Sequence, residues 1–101
     1  MRKASEKKLK LPFSFTRGTL NHLRLLVDAA EKLMKKGYKS CMLTEPSFVD
    51  LIAIKNDEMI FVEIKGYKGK FKFTPNEQLI QKLCKKYGIK YFVFNGEFNE
   101  L

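Results

Sequence analysis

The segment from residue 48 to residue 65 constrains this chain more than any other. It reads Phe48-Val-Asp-Leu-Ile-Ala-Ile54, then Lys55-Asn-Asp-Glu58, then Met59-Ile-Phe-Val-Glu-Ile-Lys65. Two apolar, β-branched runs around an Asn-Asp pair predict a tight antiparallel hairpin. With Asn56 and Asp57 as the loop, Lys55 pairs with Glu58, Ile54 with Met59, and the register carries back to Asp50 opposite Glu63. Residues directly opposite share a face, with Cβ atoms about 5 Å apart. Lys65 points to that face too, because side chains alternate along a strand. The open end of the hairpin is therefore expected to gather two carboxylates and one ammonium.

Such a grouping is costly unless something holds it. Ile52, Ile54, Met59 and Phe61 make one face of the hairpin apolar, and Val49, Leu51, Ala53, Ile60, Val62 and Ile64 the other. Strands apolar on both sides are central and covered, so charges emerging from them need a reason. A divalent cation between Asp50 and Glu63 would remove their repulsion, and hard oxygen ligands of this kind suit magnesium or manganese. Lys65 would then be a fixed positive charge able to hold a water or offset charge on a phosphate. The alternative is a solvated hairpin end with an ordinary Lys–Glu pair.

The remaining chain supplies a frame for this hairpin. A length of 101 residues, 45% of them hydrophobic, allows one domain with a single modest core. Residues 1–17 form a basic arm and residues 18–101 the folded domain. A helix is predicted over residues 19–36, with Leu20, Leu23, Leu26, Val27, Ala30, Leu33 and Met34 as its buried face. A first strand over residues 38–44 turns through Glu45-Pro-Ser47 into the hairpin. Thr74-Pro-Asn-Glu77 is a capping box with proline in the first turn. It opens a second helix that buries Leu79, Ile80, Leu83, Cys84 and Tyr87 and stops at Gly88. Residues 90–95 make a last buried strand before a polar tail. The order is αβββαβ, an α/β fold whose last strand follows a helix and is placed to pair parallel by a crossover.

The formal net charge of +9, from 20 Lys+Arg against 11 Asp+Glu, favours a polyanionic partner, most often nucleic acid; a lysine-rich surface kept for solubility is the alternative. Lys68, Lys70 and Lys72 alternate with Phe71 and Phe73 just past Lys65. This row either follows a nucleic-acid backbone, with Gly66 and Gly69 allowing close approach, or blunts an edge strand. Cys41 and Cys84 are too few and too far apart for a disulfide framework or zinc site and are expected as buried thiols. No apolar run approaches the roughly 20 residues of a membrane span, and the basic start lacks the apolar core of a signal peptide. A cytoplasmic protein is expected, in a host cell if the source is viral.

At Asp50 and Glu63-Ile-Lys65 the chain resembles the PD-(D/E)xK nuclease superfamily, with Val49 where a proline usually precedes the acid. The run Phe-Val-Glu-Ile-Lys-Gly ending at Gly66 is most similar to archaeal Holliday junction resolvases and VRR-NUC domains. The resemblance spans roughly residues 20–95 and implies a restriction-endonuclease-like core, a mixed four-stranded sheet flanked by helices. It implies Asp50, Glu63 and the Ile64 backbone carbonyl as metal ligands and Mg2+ as cofactor, with Mn2+ able to substitute. Lys65 would orient the attacking water, and Gln78, at a position where such domains often carry Gln, would contact a phosphate or that water. The implied activity is a structure-selective DNA endonuclease. A resolvase needs two sites and hence a homodimer on junction DNA, with the Phe13 and Phe15 arm or the Phe98 tail as the candidate dimer patch. A VRR-NUC-like nickase or flap nuclease, a non-catalytic nucleic-acid-binding module of the same fold and an RNA-acting relative are the alternatives. The chain departs from the pattern in the first helix, where relatives place a metal-site Glu: Thr19-Leu-Asn-His-Leu-Arg24 has no carboxylate. Asp28 and Glu31 face away, and Asn21 and His22 are weak substitutes.

Overall fold

The hairpin closes in the predicted register. In the computed structural model, which describes residues 17–42 and 48–101, β2 (Leu51–Lys55) and β3 (Glu58–Ile64) pair antiparallel. The pairing runs from Lys55 opposite Glu58 back to Leu51 opposite Val62. Asn56 turns the chain with φ 53°, in the left-handed region that asparagine enters more readily than most residues because its short amide bonds locally.

β1 (Lys39–Met42) lies antiparallel beside β2, and β4 (Lys90–Phe94) lies parallel beside β3. Here the structure adds a strand to the four expected. The polar tail folds back as β5 (Phe98–Glu100), antiparallel to β4, giving a five-stranded sheet in the order β1-β2-β3-β4-β5. Gly96 (φ 111°) makes the turn, and Phe98 packs on Phe94 with ring centroids 4.7 Å apart. Three residues with one aromatic carry too little alternation to read as a strand.

Among the described residues, two helices cover opposite faces of the sheet. α1 (Arg17–Lys35) sets Leu26, Ala29 and Leu33 on Leu51, Val62 and Phe94. α2 (Pro75–Tyr87) joins β3 to the parallel β4 and sets Ile80 and Cys84 on Phe61, Tyr91 and Val93. Its capping box forms as predicted: Thr74 Oγ1 accepts from the Glu77 N–H at 3.1 Å, and Glu77 Oε1 accepts from the Thr74 N–H at 2.9 Å. Gly88 ends the helix in the left-handed conformation, φ 70°.

The helix faces differ from expectation. Leu20, Leu23, Val27 and Met34 of α1 are exposed, and so are Leu79, Leu83 and Tyr87 of α2. The apolar positions run around more of each helix than one flat sheet can cover, so only the stripe aimed at the sheet is buried. Cys84 is buried as expected, but Cys41 is exposed on β1, whose outer edge has no neighbouring strand among the described residues. The arm through residue 16 and the turn after β1 lie outside the described residues. Among the described residues, no helix is long and apolar enough to cross a membrane.

Candidate active site

The end of β3 places the trio. Asp50 stands one residue beyond the last paired residue of β2, and its side chain continues the ladder: Oδ2 accepts the Ile64 N–H at 2.8 Å. Glu63 sits between Val62 and Ile64 in the central strand and is only 8% exposed. Its Oε1 is buried with no hydrogen-bond partner. Burial raises the Glu63 pKa first, the Asp50 carboxyl beside it and the Glu77 charge raise it further, and Lys65 only partly offsets them, leaving it at about 9. Two carboxyl groups sharing one site cannot both ionise cheaply. The predicted juxtaposition of Asp50 and Glu63 is therefore present.

Lys65 extends β3 by one hydrogen bond, its N–H donating to the Phe94 carbonyl at 3.1 Å. Its Nζ lies 3.2 Å from Glu77 Oε1 and 5.4 Å from the centre of the Phe73 ring. Both members of the ion pair are nearly buried, with side chains 13% and 15% exposed. Glu77 thus works twice, capping α2 and neutralising Lys65. The capping role is legible in the sequence; the ion pair needs α2 to lie on that face of the sheet.

α1 contributes a residue as well. His22 Nε2 lies 3.3 Å from Asp50 Oδ1, so both Asp50 oxygens are engaged, one by the Ile64 backbone and one by an imidazole. The weak substitute in the sequence is the first-helix side chain that meets the site. Its neighbour Asn21 packs over Gly66, where a Cβ would come within 2.7 Å of the Asn21 amide nitrogen. The glycine expected to admit a ligand instead admits α1. Asp28 faces solvent and pairs with Lys32 at 2.8 Å.

Gln78 is exposed in the first turn of α2, and its Nε2 donates to the Phe73 carbonyl at 3.1 Å. The lysine row is neither a strand nor straight. Gly69 (φ 95°) bends the segment after Lys65, and the Tyr67 hydroxyl accepts from the Lys72 N–H at 3.0 Å, closing a loop. Phe71 and Phe73 turn inward against the core under α2, while Lys68, Lys70 and Lys72 are exposed. The alternation of lysine and aromatic holds; the edge strand does not, because β5 and β1 occupy the sheet edges.

The donor set suits a hard cation in one respect and limits it in another. A divalent ion beside Asp50 would give Glu63 Oε1 a partner and favour the charged form of both acids. Among the described residues, no group of three or more His, Cys, Asp and Glu side chains is gathered as a metal cage. The donors would be two carboxylates, a backbone carbonyl and water, the sparse set that magnesium accepts.

No family model and no curated protein matches the sequence. Among solved structures, the chain is similar to Archaeoglobus fulgidus Hjc, a Holliday junction resolvase from an archaeal hyperthermophile. The TM-score is 0.58 and the identity 18%, over 71% of this chain and 61% of the resolvase. The likeness is one of fold. It bears out the restriction-endonuclease-like α/β architecture that the resemblance implied.

Proposed function

We propose that this protein is a metal-dependent DNA endonuclease that hydrolyses phosphodiester bonds in branched DNA, in the manner of a Holliday junction resolvase. The observation that carries this reading is Glu63: a carboxylate buried at the end of the central strand, one oxygen without a partner, beside Asp50 and Lys65. A fold does not leave that arrangement in place for stability, since an apolar residue of similar size would serve better there. A bound magnesium or manganese ion would supply Lewis acidity and a water of lowered pKa.

The chain's own groups have definable work. Asp50, Glu63 and the Ile64 carbonyl would hold the ion, with Asp50 kept in place by the Ile64 N–H and by His22, a positioning residue for it. Lys65 is held against Glu77 and Phe73, so its ammonium is positioned before a phosphate arrives and would be shared between Glu77 and that phosphate. Gln78, exposed in the first turn of α2 with its Nε2 on the Phe73 carbonyl, would leave that carbonyl to contact a phosphate or the attacking water. Lys68, Lys70 and Lys72 would meet the backbone on the α2 side of the site. Selectivity for branched DNA would come from DNA shape, and paired cuts in a junction would need two copies.

Incubation with four-way junction, flap, nicked and linear duplex DNA, each with magnesium, manganese or EDTA, tests the reading. Symmetric junction cleavage abolished by EDTA is expected. Nicking of flaps by a monomer would favour the VRR-NUC-like alternative. Tight binding without cleavage under every metal condition would favour a non-catalytic module, a reading supported by the Lys65–Glu77 pair and by the lack of a carboxylate in residues 19–24.

A further inference from the structure

The outer face of α1 carries an apolar stripe that its own sheet does not cover. Leu20, Leu23, Val27 and Met34 are 40%, 38%, 51% and 64% exposed. They recur at steps of three, four and seven, the spacing with which one helix packs along another. Beside the stripe is a shallow groove of about 330 Å³, lined by Leu20, Leu23, Val27, Arg24, Asp28 and Glu31. A stripe of this kind on a helix surface needs an occupant.

The flanking charges point to which one. Arg24 and Glu31 lie on the same edge of the stripe, seven residues apart and centred beside Val27. An antiparallel two-fold through that centre brings the same edge of both helices together, setting Arg24 of one copy against Glu31 of the other, twice. It also sets Leu20 near the partner's Met34. An isologous interface requires this self-complementarity. The face suits DNA poorly, since Asp28 and Glu31 add negative charge there on a chain of net charge +9. The exposed stripe of α2, Leu79, Leu83 and Tyr87, suits a second copy poorly: Lys82 and Lys86 flank it, and a two-fold would set lysine against lysine. The Phe98 patch is spent within the chain, on Phe92 and Phe94.

We infer that this chain forms a two-fold homodimer through the outer face of α1, antiparallel about Val27. The inference deepens the resolvase reading, from which the expectation of two copies comes, but it stands on the surface alone, and its test does not use cleavage. In sedimentation equilibrium the full chain should run at about twice its 11.8 kDa mass. Val27→Asp should return it to a monomer with unchanged circular dichroism. Arg24→Glu or Glu31→Arg alone should weaken the dimer by about tenfold, because like charges then meet twice. The double substitution should restore it. In a Cys41→Ser background, Val27→Cys should form a disulfide dimer. Met34→Cys should not, since its copies would lie about 20 Å apart at 1.5 Å per residue.

A monomer at all concentrations would overturn the inference. So would a dimer that survives Val27→Asp, or a double charge swap no better than the singles. A dimer without nuclease activity would sink the functional reading and leave this interface standing. An active enzyme dimerised elsewhere would do the reverse.

Discussion

Glu58 and Glu63 begin and nearly end the same strand, and the fold treats them in opposite ways. Glu58, at the tight turn, accepts the Tyr38 hydroxyl at 2.9 Å and faces the Lys90 ammonium at 3.4 Å. The bond from Tyr38 is the largest influence on its pKa, which is lowered, with Lys90 and Lys55 adding to the effect. Glu63, at the open end, is buried beside another acid and its pKa is pushed up to about 9. Glu58 has acquired partners that favour its charged form, and Glu63 is left wanting one, as the proposed catalytic role would require. The hairpin separates the two environments along its length.

The largest effect expected from breaking this contrast is on cleavage. Glu63→Gln or Asp50→Asn should reduce the rate by about a thousandfold or more, the scale of losing a group that stabilises the transition state, with DNA binding kept within a few-fold. Lys65→Ala should lose most activity while metal binding, followed by calorimetry, persists. Full activity in Asp50→Asn would end the assignment.

Next comes stability, where the two glutamates should respond to pH with opposite sign. The folded pKa of Glu63 lies above its ordinary 4.5. Its contribution is therefore complete below about pH 4.5 and is lost as pH rises through about 9. By pH 7 the metal-free protein should have lost roughly 3 kcal/mol, at 1.36 kcal/mol per pH unit. Glu63→Gln should remove that slope in urea titrations, and magnesium should raise the melting temperature more at pH 8 than at pH 5. Glu58, with a lowered pKa, contributes above the ordinary carboxylate range and loses that contribution as pH falls. A Glu63→Gln protein with the parent's alkaline slope would mean that the buried acid has found another partner.

A smaller effect concerns the loop beyond the site. Replacing Lys68, Lys70 and Lys72 together should flatten the salt dependence of DNA affinity by up to about three units, at roughly 0.9 per phosphate. An unchanged slope would place the phosphates elsewhere. The least is expected at the turn: Tyr38→Phe should leave cleavage untouched and lower the stability by about 1 kcal/mol or less, the scale of one half-buried hydrogen bond. A marked loss of cleavage there would erase the distinction between the two ends.

The local order of the sequence determined the hairpin and its partners along the chain. Asn56-Asp57 set the turn and thereby the register that brings Asp50 to Glu63, because a two-residue loop leaves one way to pair. Thr74 and Glu77 set the start of α2 through hydrogen bonds three residues apart, and Gly88 its end, both visible in sequence for the same reason of short range. Tertiary structure decided what distance along the chain conceals. His22 meets Asp50 across 28 residues and Lys65 meets Glu77 across 12, contacts that exist only once helices are seated on opposite faces of one sheet. The same seating chose which apolar stripe of each helix is buried. Leu26 and Leu23 are equally apolar, and only the position of α1 over β2, β3 and β4 makes one of them core and leaves the other on the surface. Periodicity tells a helix that it has an inside; the packed sheet decides where that inside is.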